Sequence, residues 1–338
     1  MPAKVQIVLP GLFDLPLEEL ESGLLANDLP HLNRLLRLAT PQSTQSYSID
    51  DILKTALGFD SPAGLPLAQA FAQAEDQEPG HLLLSQAVHL QAGLHSAVIV
   101  PVQNNQNNLH DISIIIKDLN DIFNVDCSIT AVADGLFLVH LKGFAAPTHY
   151  PHILSVLGKT ANPYIEQSRQ VLPWYQLLNE IQMFMHQHEV NAERISRGLL
   201  PINSLWCWGA GAVPQGFNAK LDWYCDDPVL NQFARSLGLN PGSCKNINRV
   251  DDSGDAVLID LRLIELLKTG LADELDQLLL DIDRNLLKPL LVAAAKGRSD
   301  LTLRVGYEFD FELKPTARMK FWRPHRDLSN WIGNSPDL

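Results

Sequence analysis

Positive charge is scarce in this sequence. Against 39 Asp and Glu stand only 26 Lys and Arg in 338 residues, a formal net charge of −13. A field of that sign opposes nucleic acids and anionic membranes, and the basic residues are scattered, so neither partner is expected. Cysteine is equally sparse: Cys127, Cys207, Cys225 and Cys244 occur with no CxxC spacing. That excludes a zinc ribbon and a thioredoxin-like pair. So few thiols in a long chain fit a reducing cytosol better than a disulfide scaffold. Long apolar runs are missing as well. The opening MPAKVQIVLPGLFDLP is broken by Pro10 and Gly11, too early for a signal-peptide core, and no segment reaches membrane-spanning length. A cytoplasmic protein is expected. Short catalytic signatures are also absent: there is no GxSxG, no HExxH, no P-loop and no GxGxxG after a strand.

What is present has the balance of a globular protein, 46% hydrophobic and 19% charged, with enough chain for one large domain or two smaller ones. VQIVL (5–9) reads as a buried strand, LPHLNRLLRLA (29–39) as a helix with Leu32, Leu35, Leu36 and Ala39 on one face, and SIDDILKTALG as a helix capped by Ser48 and stopped by Gly58. The middle has another texture. HSAVIVPV and GLFLVHLKG read as strands around the helical LHDISIIIKDLNDIF. From Pro173 a single long helix runs to Gly198, followed by the strand NSLWCW, the helix DDPVLNQFARSLGL and the strand DAVLIDL. The helix LADELDQLLLDIDRNLLKPLLVAAA carries Leu275, Leu278, Leu279, Ile282 and Leu286 on one face. LTLRVGYEFDFEL alternates throughout, as a long half-exposed strand or hairpin arm. We divide the chain into an α/β domain of residues 1–79 and 169–338 and an inserted α+β subdomain of residues 80–168.

Few residues offer chemistry. His186 and His188 lie two apart on a predicted helix, about 200° around its axis, and share no ligand face. Asp273, Glu274, Asp276 and Asp281 fall off the apolar stripe and read as a solvated face, with Asp283 nearer the stripe and open. Ser48 before Asp50 and Asp51 is more simply an N-cap than an activated nucleophile. Arg323, His325 and Arg326 among Trp322 and Trp331 read as a tail packed by its aromatics rather than an anion site. The sharpest signal is NSLWCWGAG. Gly209 and Gly211 after a strand allow a turn with exposed N–H groups, and Asn191 and Arg194 offer an amide and a guanidinium to an oxyanion. Spacing alone leaves a ligand loop and a packed turn evenly balanced.

HEVNAERISRGLLPINSLWCWGAGAVP resembles a segment of the archaeal-type cofactor-independent phosphoglycerate mutases, HPVNxxR…G…PANxxWxWGxGxxP. Asn191, Arg194, Gly198, Pro201, Asn203, Trp206, Trp208, Gly209, Gly211 and Pro214 match in order. IVLPGLFD, LPHLNRLLRLA and ALGFDSP resemble other family segments more faintly, and EIQMFMHQHEVN and AVHL look like a bacterial RpfE-type regulatory subgroup. The resemblance implies an alkaline-phosphatase-like three-layer α/β/α sandwich with an inserted small α+β subdomain. It also implies a substrate cleft rimmed by Asn191, Arg194, Asn203, Trp206, Trp208, Gly209 and Gly211. The superfamily holds two divalent metals with Asp and His and uses a Ser or Thr nucleophile, since two cations neutralise phosphoryl oxygens and lower the nucleophile's pKa. Here the metal-binding aspartate of the opening strand falls at Pro10 and the nucleophile at Ile49, one residue from Ser48. The H-x-x-x-x-D-x-x-x-H strand end falls at Asp260, Glu265 and Thr269, and the late Asp-His pair has no counterpart. The expectation is a pseudoenzyme with no cofactor, a binding or regulatory protein for a phosphorylated small molecule or a protein partner. The alternative is an active phosphomutase or phosphatase using Ser48, Asp14 and Glu265 with Mn or Zn. A third option is structural partnering through the C-terminal alternating strand.

Overall fold

The computed structural model describes residues 2–16, 29–44, 48–59, 64–72, 80–93, 96–103, 105–161, 171–213, 220–249, 254–270, 274–306, 309–314 and 328–332. The chain forms two compact units, residues 1–60 with 216–338, and residues 61–215. No described helix is long and apolar enough to cross a membrane.

The first unit is built on a six-stranded sheet. Its strands are β1 (Ala3–Val8), β2 (Thr40–Ser43), β8 (Asp222–Cys225), β9 (Ala256–Ile259), β10 (Ser299–Arg304) and β11 (Phe309–Leu313), in the order β2-β11-β10-β1-β9-β8. β10, β1, β9 and β8 are parallel, with Val5 opposite both Leu301 and Ala256. Side chains alternate between faces along each strand. Val5, Ile7 and Leu9 join one hydrophobic cluster with residues of α1 (Pro30–Leu38), α7 (Arg262–Thr269), α8 (Leu275–Asp281) and α9 (Lys288–Ala295). Gln6, Val257 and Trp223 share a register row on the other face. There Gln6 Nε2 donates to the carbonyl of Ala56 in α2 (Ile49–Leu57), and Trp223 Nε1 donates to Asn231 Oδ1 of α6 (Pro228–Ser236). Helices on both faces of a mostly parallel sheet make three layers. The α/β class expected from the sequence is observed, consistent with an alkaline-phosphatase-like sandwich.

The second unit holds β3 (Leu82–Ala92), β4 (Ala97–Pro101), β5 (Cys127–Ala133) and β6 (Leu136–Leu141) in the order β4-β3-β6-β5, with β7 (Ser204–Trp208) also paired to β3. α3 (Gln106–Ile122) lies on β5, where Asn120 exchanges two 2.7 Å hydrogen bonds with the backbone of Ile129. Gln182 of α4 (Leu172–Gln187) donates to Ser204 Oγ of β7 at 2.9 Å.

Several elements differ from the sequence reading, each for a local reason. The unit boundaries fall at 60/61 and 215/216 rather than 79/80 and 168/169. The strand SLWCW and the helices before it lie in the second unit because β7 pairs antiparallel with β3, Leu84 opposite Trp208. The long helix expected to Gly198 is two helices, α4 and α5 (Glu189–Ser196). His188 leaves helical geometry at ψ 138 and its Nδ1 accepts from the Val190 N–H. Of the two readings of the alternating C-terminal segment, the hairpin is the one observed, β10 pairing antiparallel with β11, Leu303 opposite Phe311. The leucine-rich helix is continuous through residues 275–295 but passes through a π-helical turn, Ile282–Leu287. The segment of Trp322, Arg323, His325 and Arg326 lies outside the described residues, as do Asp273 and Pro214.

Candidate functional site

Because β10, β1, β9 and β8 are parallel, their carboxyl ends meet at one edge of the sheet, where open α/β sheets bind ligands. Loops leaving this edge carry Pro10, Asp226, Asp227 and Asp260. Ile52 of α2 lies against Gly306 just beyond β10, while Ala56 lies beside Gln6 in mid-strand, so the amino end of α2 also faces this edge. Its cap is Ser48, whose hydroxyl accepts from the Asp51 N–H at 3.1 Å and donates to Asp51 Oδ2 at 2.6 Å. Gly58 closes the helix with φ 71.

Asp260 is buried and held by its neighbour. Its Oδ1 accepts from the Arg262 N–H at 3.1 Å and from Arg262 Nε at 2.9 Å, and its Oδ2 accepts from Arg262 Nη2 at 2.7 Å. Arg262 Nη1 continues to Asp281 Oδ2 at 2.8 Å. Asp227 caps α6 by accepting from the Leu230 N–H at 2.7 Å. Glu265 on α7 is partly buried. Loss of solvent, then the nearby carboxylates of Asp227 and Asp260, push its carboxyl up to about 7, against a smaller opposing pull from Arg262. A carboxyl so placed has the proton affinity of a neutral-pH acid or base. Asp14 is exposed, its N–H bonded to the Gly11 carbonyl.

The metals that the family resemblance implies do not fit these donors. Pro10 has no side-chain ligand atom. Both oxygens of Asp260 face a guanidinium, which excludes a cation from the same lone pairs. Thr269 Oγ1 donates to the carbonyls of Glu265 and Leu266 within its own helix. No group of three His, Cys, Asp or Glu suited to a metal occurs among the described residues.

The Asn191–Gly211 stretch belongs to the second unit, where most of its polar side chains are hydrogen-bonded. Asn191 is 1% exposed, donates to the carbonyls of Met185 and Ile202 and accepts from the Ile202 N–H. Arg194 is 3% exposed, donating to Asp111 Oδ2 at 2.7 Å, Asn108 Oδ1 at 2.8 Å and the Leu200 carbonyl at 2.9 Å. Asn203 spans Leu90, accepting from its N–H and donating to its carbonyl. Trp206 donates to the Pro151 carbonyl and meets Tyr150 edge-on at 5.4 Å, while Trp208 meets His152 at 5.4 Å. Gly209 turns at φ 77, where a Cβ would stand 3.2 Å from both Ala68 N and Leu67 Cβ. Its carbonyl accepts from Ala68, and a Cβ on Gly211 would stand 3.5 Å from Pro66. The glycines serve close backbone packing, and Asn191, Arg194, Asn203 and Trp206 are engaged within the unit, while the buried Trp208 Nε1 has no hydrogen-bond partner among the described residues. Sequence reasoning passed over Arg262 and Asp227 and read Asp281 as part of a solvated helix face; Asp260 and Glu265 marked the place.

No family model matches the chain, and no curated protein matches it. Among solved structures, a cofactor-independent phosphoglycerate mutase from Thermoplasma acidophilum aligns with TM-score 0.43 and 19% identity over 99% of this chain and 96% of that one. The PH0037 protein from Pyrococcus horikoshii aligns with TM-score 0.48 and 14% identity over 92% of this chain and 87% of that one. The fold class rests on the strand order and layering described above.

Proposed function

We propose that this chain is a phosphoglycerate-mutase-like protein that lacks two-metal catalysis and acts as a binding or regulatory protein, in the manner of the RpfE-type subgroup it resembles. The observation carrying this reading is the Arg262 clamp on Asp260 at the carboxyl edge of β9. A protein cation fills the lone pairs that a divalent ion needs, and Pro10 and the capping role of Ser48 point the same way. The residual phosphate-ester cleft is then this sheet edge, not the stretch from Asn191 to Gly211. A reducing cytoplasm is proposed on the four unpaired cysteines.

Purified protein titrated with Mn²⁺ and Zn²⁺ and assayed with 3-phosphoglycerate and p-nitrophenyl phosphate tests the reading. No stoichiometric metal and no turnover are expected. Tight metal binding with turnover abolished by Ser48→Ala overturns it. One observation favours the active alternative: a carboxyl at Glu265 poised near neutrality beside Asp227 and Asp260. That reading predicts turnover lost in Glu265→Gln.

A further inference from the structure

In a chain of net charge −13, one cleft is strongly positive. It runs along the helical stretch 281–296 of the first unit, has a volume of about 600 Å³, and is lined by Lys245, Arg262, Arg284, Lys288 and Lys296. Asp281 is the lone acid of the lining. That carboxylate is already shared, Oδ2 with Arg262 and Oδ1 with Asn285 Nδ2 at 2.6 Å. Lys245, Arg284, Lys288 and Lys296 are exposed, and none forms an ion pair with a described residue. Cations gathered this closely repel one another, and an acidic protein has carboxylates to spare for neutralising them. The arrangement leaves the positive charge for something else.

The backbone beneath the cleft is distorted in a way that serves it. Ile282–Leu287 is a π-helical turn, a rare device often found at binding sites. Within it Asp283 points inward, fully buried. Its Oδ1 accepts the N–H groups of His31 and Leu32 at the start of α1, and its Oδ2 meets His31 Nδ1 at 2.7 Å. Its neighbours Arg284 and Asn285 face the cleft. Arg262 is also fixed from behind by Asp260. The lining also has apolar residues, of which Val292 is exposed and Pro289 half-buried, over the buried Ile247, Leu286 and Leu290.

We propose that this cleft binds a small organic polyanion, a phosphate ester with an apolar or flat body. The phosphoryl group would sit between Arg284 and Lys288, one helical turn apart, and the body against Pro289 and Val292, with Lys296 at the far end. A volume of this size suits a small molecule, and the acidic remainder of the surface opposes a nucleic acid or an anionic bilayer. The lining includes neither Glu265 nor Ser48, though it shares Arg262 with the sheet edge, and the proposal does not depend on whether that edge is catalytic.

Calorimetric titration with 1-naphthyl phosphate tests it, with 1-naphthol and inorganic phosphate as partial ligands. The ester is expected to bind at least about ten-fold more tightly than either, with affinity falling as salt is raised. The double variant Arg284→Glu, Lys288→Glu is expected to weaken it about ten-fold or more. Both positions are exposed, and an unchanged thermal melt confirms the variant is folded. If that variant misfolds, the single Lys296→Glu replaces it, with at least a three-fold loss expected. No binding of the ester, equal binding of 1-naphthol, or undiminished affinity in the charge-reversed protein overturns the proposal.

Discussion

Arg194 and Asp111 form a buried ion pair, Nη1 to Oδ2 at 2.7 Å, with both side chains less than one-tenth exposed. Removing one partner of such a pair strands the other charge, at a cost of about 3 kcal/mol. Arg194→Ala is therefore expected to lower urea stability by roughly that amount, since only the exposed Arg197, at 2.9 Å, remains beside Asp111. A variant of wild-type stability would contradict the structural role. Arg194→Lys is expected to fall between, because a lysine keeps the charge but cannot reach Asp111, Asn108 and Leu200 together.

Ser48 is expected to behave as a cap. Ser48→Ala should cost about 1 kcal/mol and Ser48→Asp much less, measured by thermal or urea unfolding. A serine acting as nucleophile gives the opposite pattern, with activity lost in both variants.

Glu265 makes stability depend on pH in a direction unusual for a carboxylate. Its folded pKa of about 7 lies above the ordinary value of 4.5, so between those limits the folded chain holds more proton than the unfolded one. Stability is fully present below pH 4.5, declines as pH rises through 7, and levels off above. In Glu265→Gln this contribution is absent. The variant is expected to gain up to about 2 kcal/mol over wild type at pH 8, with allowance for solvent screening, and nothing at low pH. Urea titrations across that range check it.

Burial pushes Cys127 up to about 11 and both Cys207 and Cys244 up to about 12, and holds Cys225 well above its ordinary value. Thiolate is the reactive form, so a disulfide reagent at pH 8 should label the native protein slowly and all four thiols once it unfolds. Cys127 and Cys207 lie in one unit, Cys225 and Cys244 in the other. Mass spectrometry of the labelled sites therefore follows the opening of each unit separately.

The elements legible in the sequence were those whose determinants are local. α2 is bounded by Ser48 and Gly58, which act on their own helix. β7 was equally legible as a strand, yet its sheet was not, because its partner β3 lies more than a hundred residues earlier. β3 itself escaped notice, since HLLLSQAVHLQA mixes leucine, alanine and glutamine in a way that suits a helix as well. The break at His188 escaped too, histidine being an uncommon cap. At the candidate site, that Pro10 and Ile49 carry no ligating or nucleophilic side chain was visible in the residues themselves. The burial of Arg194 was not, because Asp111 sits 83 positions away. Nor was the Arg262 clamp, which depends on where β9 ends.

The strand order also bears on how the chain is made. β1 is synthesised well before its two neighbours, β9 and β10, which begin only at Ala256 and Ser299. The intervening unit, residues 61–215, is one continuous stretch with its sheet partners inside it. During translation it can close while β1 still has both edges bare, and a bare hydrophobic strand is a template for association with other chains. β1 is thus exposed to aggregation for as long as it takes to synthesise the chain from Val8 to Ala256.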